Sequence, residues 1–229
     1  MKQLCVIQHT ETEYLGLIED HLEGRNIRFT YHRPFAAGGT LPGTVEGYDG
    51  LVLLGGGPYG IVSGHLLPCL GAELRLAASF LEAGLPVIGF GLGAIVLSVA
   101  AGGGAEEAPL RFKVEQALAT RPDHLGGLLP RSFPLASYLR DRPVLPPDAE
   151  ILSIDADGRP LIFTVSTHSI GVLGHPGMKR GMAEDLVMEF TETPENTVEA
   201  LESLGAAQSE IAHCLTGLMV GLVDHTGLM

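Results

Sequence analysis

The sequence predicts an α/β fold, a three-layer sandwich built on a mainly parallel central sheet, and three observations predict it. Short apolar runs alternate with helix-length amphipathic segments through the first part of the chain. The runs Gly50–Leu54 and Val87–Phe90 are continuously apolar, as strands covered on both faces are. At 229 residues, 45% hydrophobic and 18% charged, the chain can bury one large core.

Leu4–Ile7 reads as a first strand ending at Gln8, His9 and Thr10. Leu15, Ile18 and Leu22 then recur at helical spacing, which predicts a helix over Glu11–Leu22 stopped by Gly24. Ile27–Tyr31 is a second strand and Gly50–Leu54 a third, followed by the turn Gly55-Gly56-Gly57-Pro58-Tyr59-Gly60. Leu70, Leu74, Ala77, Ala78 and Leu81 lie on one face of a helix over about 67–83, and Val87–Phe90 is the next strand. In such alternation the functional loops lie at the carboxyl ends of the strands.

Residues 102–147 carry no sustained period and read as loops and irregular strands. Glu150–Ile154, Leu161–Val165 and Ser169–Leu173 predict late strands, partly antiparallel, and Lys179–Phe190 a helix that closes a main domain of residues 1–191. Residues 192–229 form a helical tail: a polar linker over Thr191–Asn196, a short helix over Val198–Leu204 stopped by Gly205, and a second helix from Ala207 to about Val223. The stripe Ile211, Leu215, Leu218, Met219 and Leu222 needs cover, either from the domain itself or from another subunit through Ala207–Met229.

A net charge of −13 opposes approach to polyanions, so neither nucleic acid nor an anionic membrane is expected as a partner. The uncharged stretch Ala83–Ala105 is long enough to span a bilayer, but Pro86 and seven glycines divide it into strand, turn and helix. Cys5, Cys69 and Cys214 are too scattered for a disulfide framework and read as packing residues, which fits a reducing cytoplasm. His9, His168 and His175 lack the local spacing of metal ligands, and no metal or cofactor is expected.

The most informative stretch is Gly89-Phe90-Gly91-Leu92-Gly93, a strand running into a helix through a turn shaped like a nucleophile elbow, with Gly91 where the reactive side chain would stand. With Gln8-His9-Thr10, Gly47-Tyr48-Asp49-Gly50, Gly56-Gly57-Pro58, Leu85–Gly89, Leu145–Glu150 and Gly171–Pro176, it resembles the class I glutamine amidotransferases, whose fold is flavodoxin-like. The branch it is most similar to is the glutaminase domain of GMP synthase, and the resemblance covers Met1 to about Phe190.

That resemblance implies a Cys nucleophile, a His-Pro-Glu motif and an oxyanion hole, with ammonia passed to a partner synthetase. Carried onto this chain, the Cys position is Gly91, the His is His175 and the Glu is Gly177. Glycine supplies neither a thiolate nor a carboxylate. The backbone of Gly56, Gly57 and Leu92 is expected to keep an oxyanion-type pocket. The expectation is a protein without glutaminase activity that serves as a binding, regulatory or scaffolding subunit. The alternative is an enzyme using another nucleophile, or His175 as acid or base.

Overall fold

In the computed structural model, which describes residues 1–229, the apolar runs pair into one nine-stranded sheet. In chain order the elements are β1 (Gln3–Ile7), α1 (Ile18–Glu23), β2 (Arg28–His32), β3 (Gly50–Leu53), β4 (Tyr59–Gly60), β5 (His65–Leu66), α2 (Leu70–Glu82), β6 (Val87–Phe90), α3 (Leu92–Ala100), β7 (Gly104–Glu106), β8 (Arg111–Ala119), β9 (Ser132–Leu139), β10 (Arg142–Val144), β11 (Glu150–Ile154), β12 (Pro160–Val165), β13 (Ser169–Val172), α4 (Arg180–Glu189) and α5 (Thr197–His225). The sheet order is β2-β1-β3-β6-β13-β12-β11-β8-β9. From β2 to β13 all pairings are parallel, and from β13 to β9 all are antiparallel.

Every residue of β3, β6 and β13 is buried, so helices cover both faces of the central strands, as their unbroken apolar composition requires. The helices α2 and α3 pack side by side on β3 and β6, while α5 packs against α1, α4, β8 and β9. The uncharged stretch 83–105 folds as β6, α3 and their flanking turns.

Three expectations need correction. Residues 102–147 are not irregular: β8 and β9 form a long antiparallel hairpin with eight residue pairs in register, and β7 pairs with β10 in a small ribbon. The first helix begins only at Ile18, because Thr10–Leu17 is pinned as a loop by its own polar groups: Thr10 Oγ1 accepts from Glu13 N, and Gln8 Nε2 donates to the carbonyls of Thr10 and Glu11. The tail is one helix, continuous through Gly205. A mid-helix glycine costs about 1 kcal/mol, which the burial of Leu204, Ile211, Leu215, Leu218 and Leu222 outweighs. Here the missing side chain makes room for the Arg180 guanidinium, which a Cβ at position 205 would meet at 2.9 Å.

The helix stops instead at Gly227, whose φ of +66° supports a Schellman turn. Gly227 N donates to Asp224 O, Leu228 N donates to Val223 O, and Leu228 is buried. Although α5 is long and apolar enough by composition to cross a bilayer, its stripe lies on the domain's own hairpin, with Ile211 beside Phe112 and Tyr138 and the later residues joined to the main core. Asn196 Nδ2 fixes the entry to the helix by donating to Phe112 O at 2.8 Å. The stripe is therefore covered within the chain.

Candidate active site

The elbow forms as its sequence suggests. Gly91 takes φ +54° and ψ −119° between β6 and α3, and its N–H is held by the carbonyls of Val172 and Gly174. A Cβ on Gly93 would run into the Leu53 carbonyl, and one on Gly89 would lie 2.5 Å from Gly93 O, so this strand-to-helix approach requires both glycines. A Cβ on Gly91 would have Gly55 Cα at 3.4 Å and Glu13 Oε1 at 3.9 Å. The elbow is intact and its side chain is absent.

The space beside it is occupied. Glu13, 2% exposed, comes from the loop after β1 and lays its carboxylate over Gly55, with Oε2 accepting the Gly57 N–H at 2.8 Å. The N–H expected to serve an oxyanion is thus already bonded within the chain. Burial pushes the Glu13 carboxyl up to about 7, against the Gly57 hydrogen bond and the neighbouring His9, which both favour ionisation. Gly56 cannot widen the pocket, because Leu92 packs against it where a side chain would lie. Gly56, Gly57 and Leu92 are all buried, and they line none of the five principal cavities.

His175 also lies near the elbow, stacked on Phe90 with ring centroids 5.9 Å apart. Its Nε2 is 2.6 Å from the Tyr14 carbonyl and so donates, while Nδ1 accepts the Gly177 N–H at 3.2 Å. Burial lowers its pKa to about 4, which makes it neutral at pH 7 with both nitrogens engaged. At Gly177 a Cβ would meet Ile18 Cγ1 at 2.9 Å and Leu15 O at 3.2 Å, and the Gly177 carbonyl already accepts from Leu17 N. The Thr10–Leu17 loop therefore closes both the histidine and the position after Pro176.

Behind this loop lies a second buried group. His9 Nδ1 faces the Gly55 carbonyl at 2.9 Å and so donates, while Nε2 is hydrogen-bonded to both Glu73 oxygens at 2.9 Å. Burial alone would lower the His9 pKa, but the charge and hydrogen bonds of Glu73 outweigh it and raise it. Cys69 Sγ lies 3.4 Å from Glu73 Oε2, and its thiol is pushed up to about 12 by burial and the Glu73 charge. His9, Cys69 and Glu73 bring donor atoms within 4.8 Å of one another, a set that could take a thiophilic divalent cation once Glu73 released His9. His168 is not part of this group, since it bonds the His225 carbonyl instead.

Sequence reasoning missed Glu13, Glu73 and Asp141. Asp141 is fully buried at φ +64° and accepts from the N–H groups of Ile61 and Val62 at 2.8 and 2.9 Å and from the Ser63 hydroxyl, which organises the loop after Pro58. An Asp following an Arg at the end of an apolar run, Leu135–Leu139, was the available signal.

No protein-family model matches the sequence and no curated protein matches it. Solved structures do. A glutamine amidotransferase from Methylobacillus flagellatus superposes with a TM-score of 0.83 at 20% identity, over 98% of this chain and 95% of that one. A glutamine amidotransferase from Thermotoga maritima gives 0.82 at 20% identity, over 98% of each chain. A protein assigned as a GMP synthase subunit, from Thermoplasma acidophilum, gives 0.60 at 18% identity, over 92% of this chain and 98% of that one. The chain thus has the fold of the glutamine amidotransferases over nearly its whole length, the α-helical tail included.

Proposed function

We propose that this protein is a glutamine amidotransferase-like subunit without glutaminase activity of its own, acting by binding, regulating or scaffolding a partner protein. The observation that carries this reading is the Glu13 carboxylate seated on the Gly57 N–H beside Gly91, which fills the place a substrate oxygen would need. The missing side chains at 91 and 177 support it, as does the engagement of both His175 nitrogens. An acid or base at His175 would first have to break its bond to Tyr14 O, and a relocated thiolate would have to come from Cys5 or Cys69, both pushed up to about 12. A protein partner suits a fold shared with a GMP synthase subunit. That partner must use a surface other than the α5 stripe, which is already packed. A cytoplasmic setting suits the three unpaired cysteines.

The test is ammonia release from glutamine by the purified chain, combined with mass spectrometry after exposure to a glutamine-analogue electrophile. The expected result is no turnover above buffer and no adduct. Turnover lost on His175→Ala, or an adduct on Cys69, would overturn the reading.

A further inference from the structure

A second polar site lies at the same carboxyl edge of the sheet, where the β7–β10 ribbon meets the start of β8 and the β11–β12 turn. The cavity there measures about 170 Å³ and is lined by Arg111, Lys113, Arg142 and Arg159, together with the carboxylates of Glu106, Glu115 and Asp155. Four cations around one small cavity stand out in a chain of net charge −13. Arg159 is satisfied, since its guanidinium pairs with Asp157 at 2.8 Å. Asp155 is also engaged, with Oδ1 accepting from the N–H groups of Asp157 and Arg159.

Arg111 and Arg142 differ. Arg111 Nη1 and Arg142 Nε are both buried without a hydrogen-bond partner, and neither residue forms a salt bridge. Arg142 lies directly across the ribbon from Glu106, yet the two do not pair. Buried guanidinium N–H groups without acceptors are costly, and two such cations within mutual electrostatic reach add repulsion. An oxyanion between the two side chains would offset their repulsion and bring acceptors to the guanidinium groups, whose forks match two oxygens of one carboxylate or phosphate.

We propose that this cavity binds a small oxyanion, the phosphate or carboxylate group of a small molecule, between the Arg111 and Arg142 side chains that line it. The site is built into the fold. Leu173, which also lines the cavity, lies two residues before His175, so an occupant would touch the chain segment that carries this histidine. The proposal is independent of whether the elbow is active.

The test is thermal unfolding of the full chain titrated with inorganic phosphate, with acetate, and with chloride at matched ionic strength. The expected result is a saturable rise in Tm of several degrees with phosphate or acetate but not with chloride, and the arm that saturates at lower concentration identifies the group. Arg111→Gln and Arg142→Gln should each weaken that binding at least tenfold. Because those nitrogens have no protein partner, the same variants should unfold in anion-free buffer within about 2 °C of the parent. Equal responses to all three anions, a saturable response unchanged in both variants, or no response in the parent would overturn the proposal. Arg25→Gln, just after α1 and not among the cavity's lining residues, is the control and should leave binding unchanged.

Discussion

Two polar regions share the carboxyl edge of the sheet, and they are finished differently. At the elbow, the donors and acceptors are matched within the chain: Gly57 N–H to Glu13, His175 to Tyr14 and Gly177, and His9 to Glu73 and Gly55. In the arginine cavity, two buried N–H groups have nothing to donate to. A region that satisfies its own hydrogen bonds needs no ligand to be stable, whereas one left short marks where a ligand would be stabilising.

The largest expected effect comes from breaking the sealed side at its backbone. Gly93→Ala would push a Cβ into the Leu53 carbonyl, where a packed backbone cannot yield cheaply, and should cost about 3 kcal/mol or more. Urea unfolding measures this directly. A loss below about 1 kcal/mol would mean that α3 can slide away from β3 and that the elbow is looser than its packing implies.

Titration sharpens the comparison next. Glu13 is raised from about 4.5 to about 7, so the folded state holds a proton that the unfolded state releases, and stability falls as pH rises through that window. His175 is lowered from 6.5 to about 4, so the unfolded state takes up a proton that the folded state refuses, and stability rises with pH over that range. Each group contributes about 3 kcal/mol, and between pH 4.5 and 6.5 the two oppose each other. Glu13→Gln keeps an acceptor for Gly57 and removes the first contribution. Its stability relative to the parent should therefore grow by about 3 kcal/mol between pH 4.5 and 7.5, read from denaturant midpoints across pH. The deficit that His175 imposes at pH 4 should disappear in His175→Gln. A pH-independent difference for Glu13→Gln would mean that its carboxyl titrates alike in the folded and unfolded states, and the seal would then be a charge-assisted hydrogen bond from Gly57 N–H to a carboxylate.

How legible these regions were follows from what their residues must do. The strand into the elbow could be read because β6 is apolar throughout and glycines flank the turn, a pattern imposed by close backbone approach. The β8–β9 hairpin could not, because β8 interleaves Arg111, Lys113 and Glu115 with only two fully buried residues, Phe112 and Ala117, and β9 carries Pro134. Those same charges line the arginine cavity, so what hid the strand is what makes the second site. Glu13 was hidden by its neighbours: Leu15, Ile18 and Leu22 keep helical spacing across a segment that Thr10 and Gln8 hold as a loop. Gly205 misled in the other direction, since a helix stop in sequence terms is here a place for the Arg180 side chain. Three-dimensional partners, not local periodicity, decide each of these cases.

The smallest effect concerns Cys69, the one partly exposed member of the buried His9–Glu73 group. Its thiol bonds Glu73 at 3.4 Å, but Glu73 is already bonded to His9 Nε2 at 2.9 Å, so the thiol contact adds little. Cys69→Ser should cost no more than about 1 kcal/mol, because a hydroxyl can donate to the same oxygen. With a thiol pKa pushed up to about 12, the parent should also alkylate at Cys69 far more slowly at pH 8 than an unfolded peptide, by about three orders of magnitude in thiolate fraction. Alkylation at the peptide rate would place a free thiolate beside the elbow. The sealed side would then offer a nucleophile, and the contrast with the arginine cavity would narrow to a difference in charge alone.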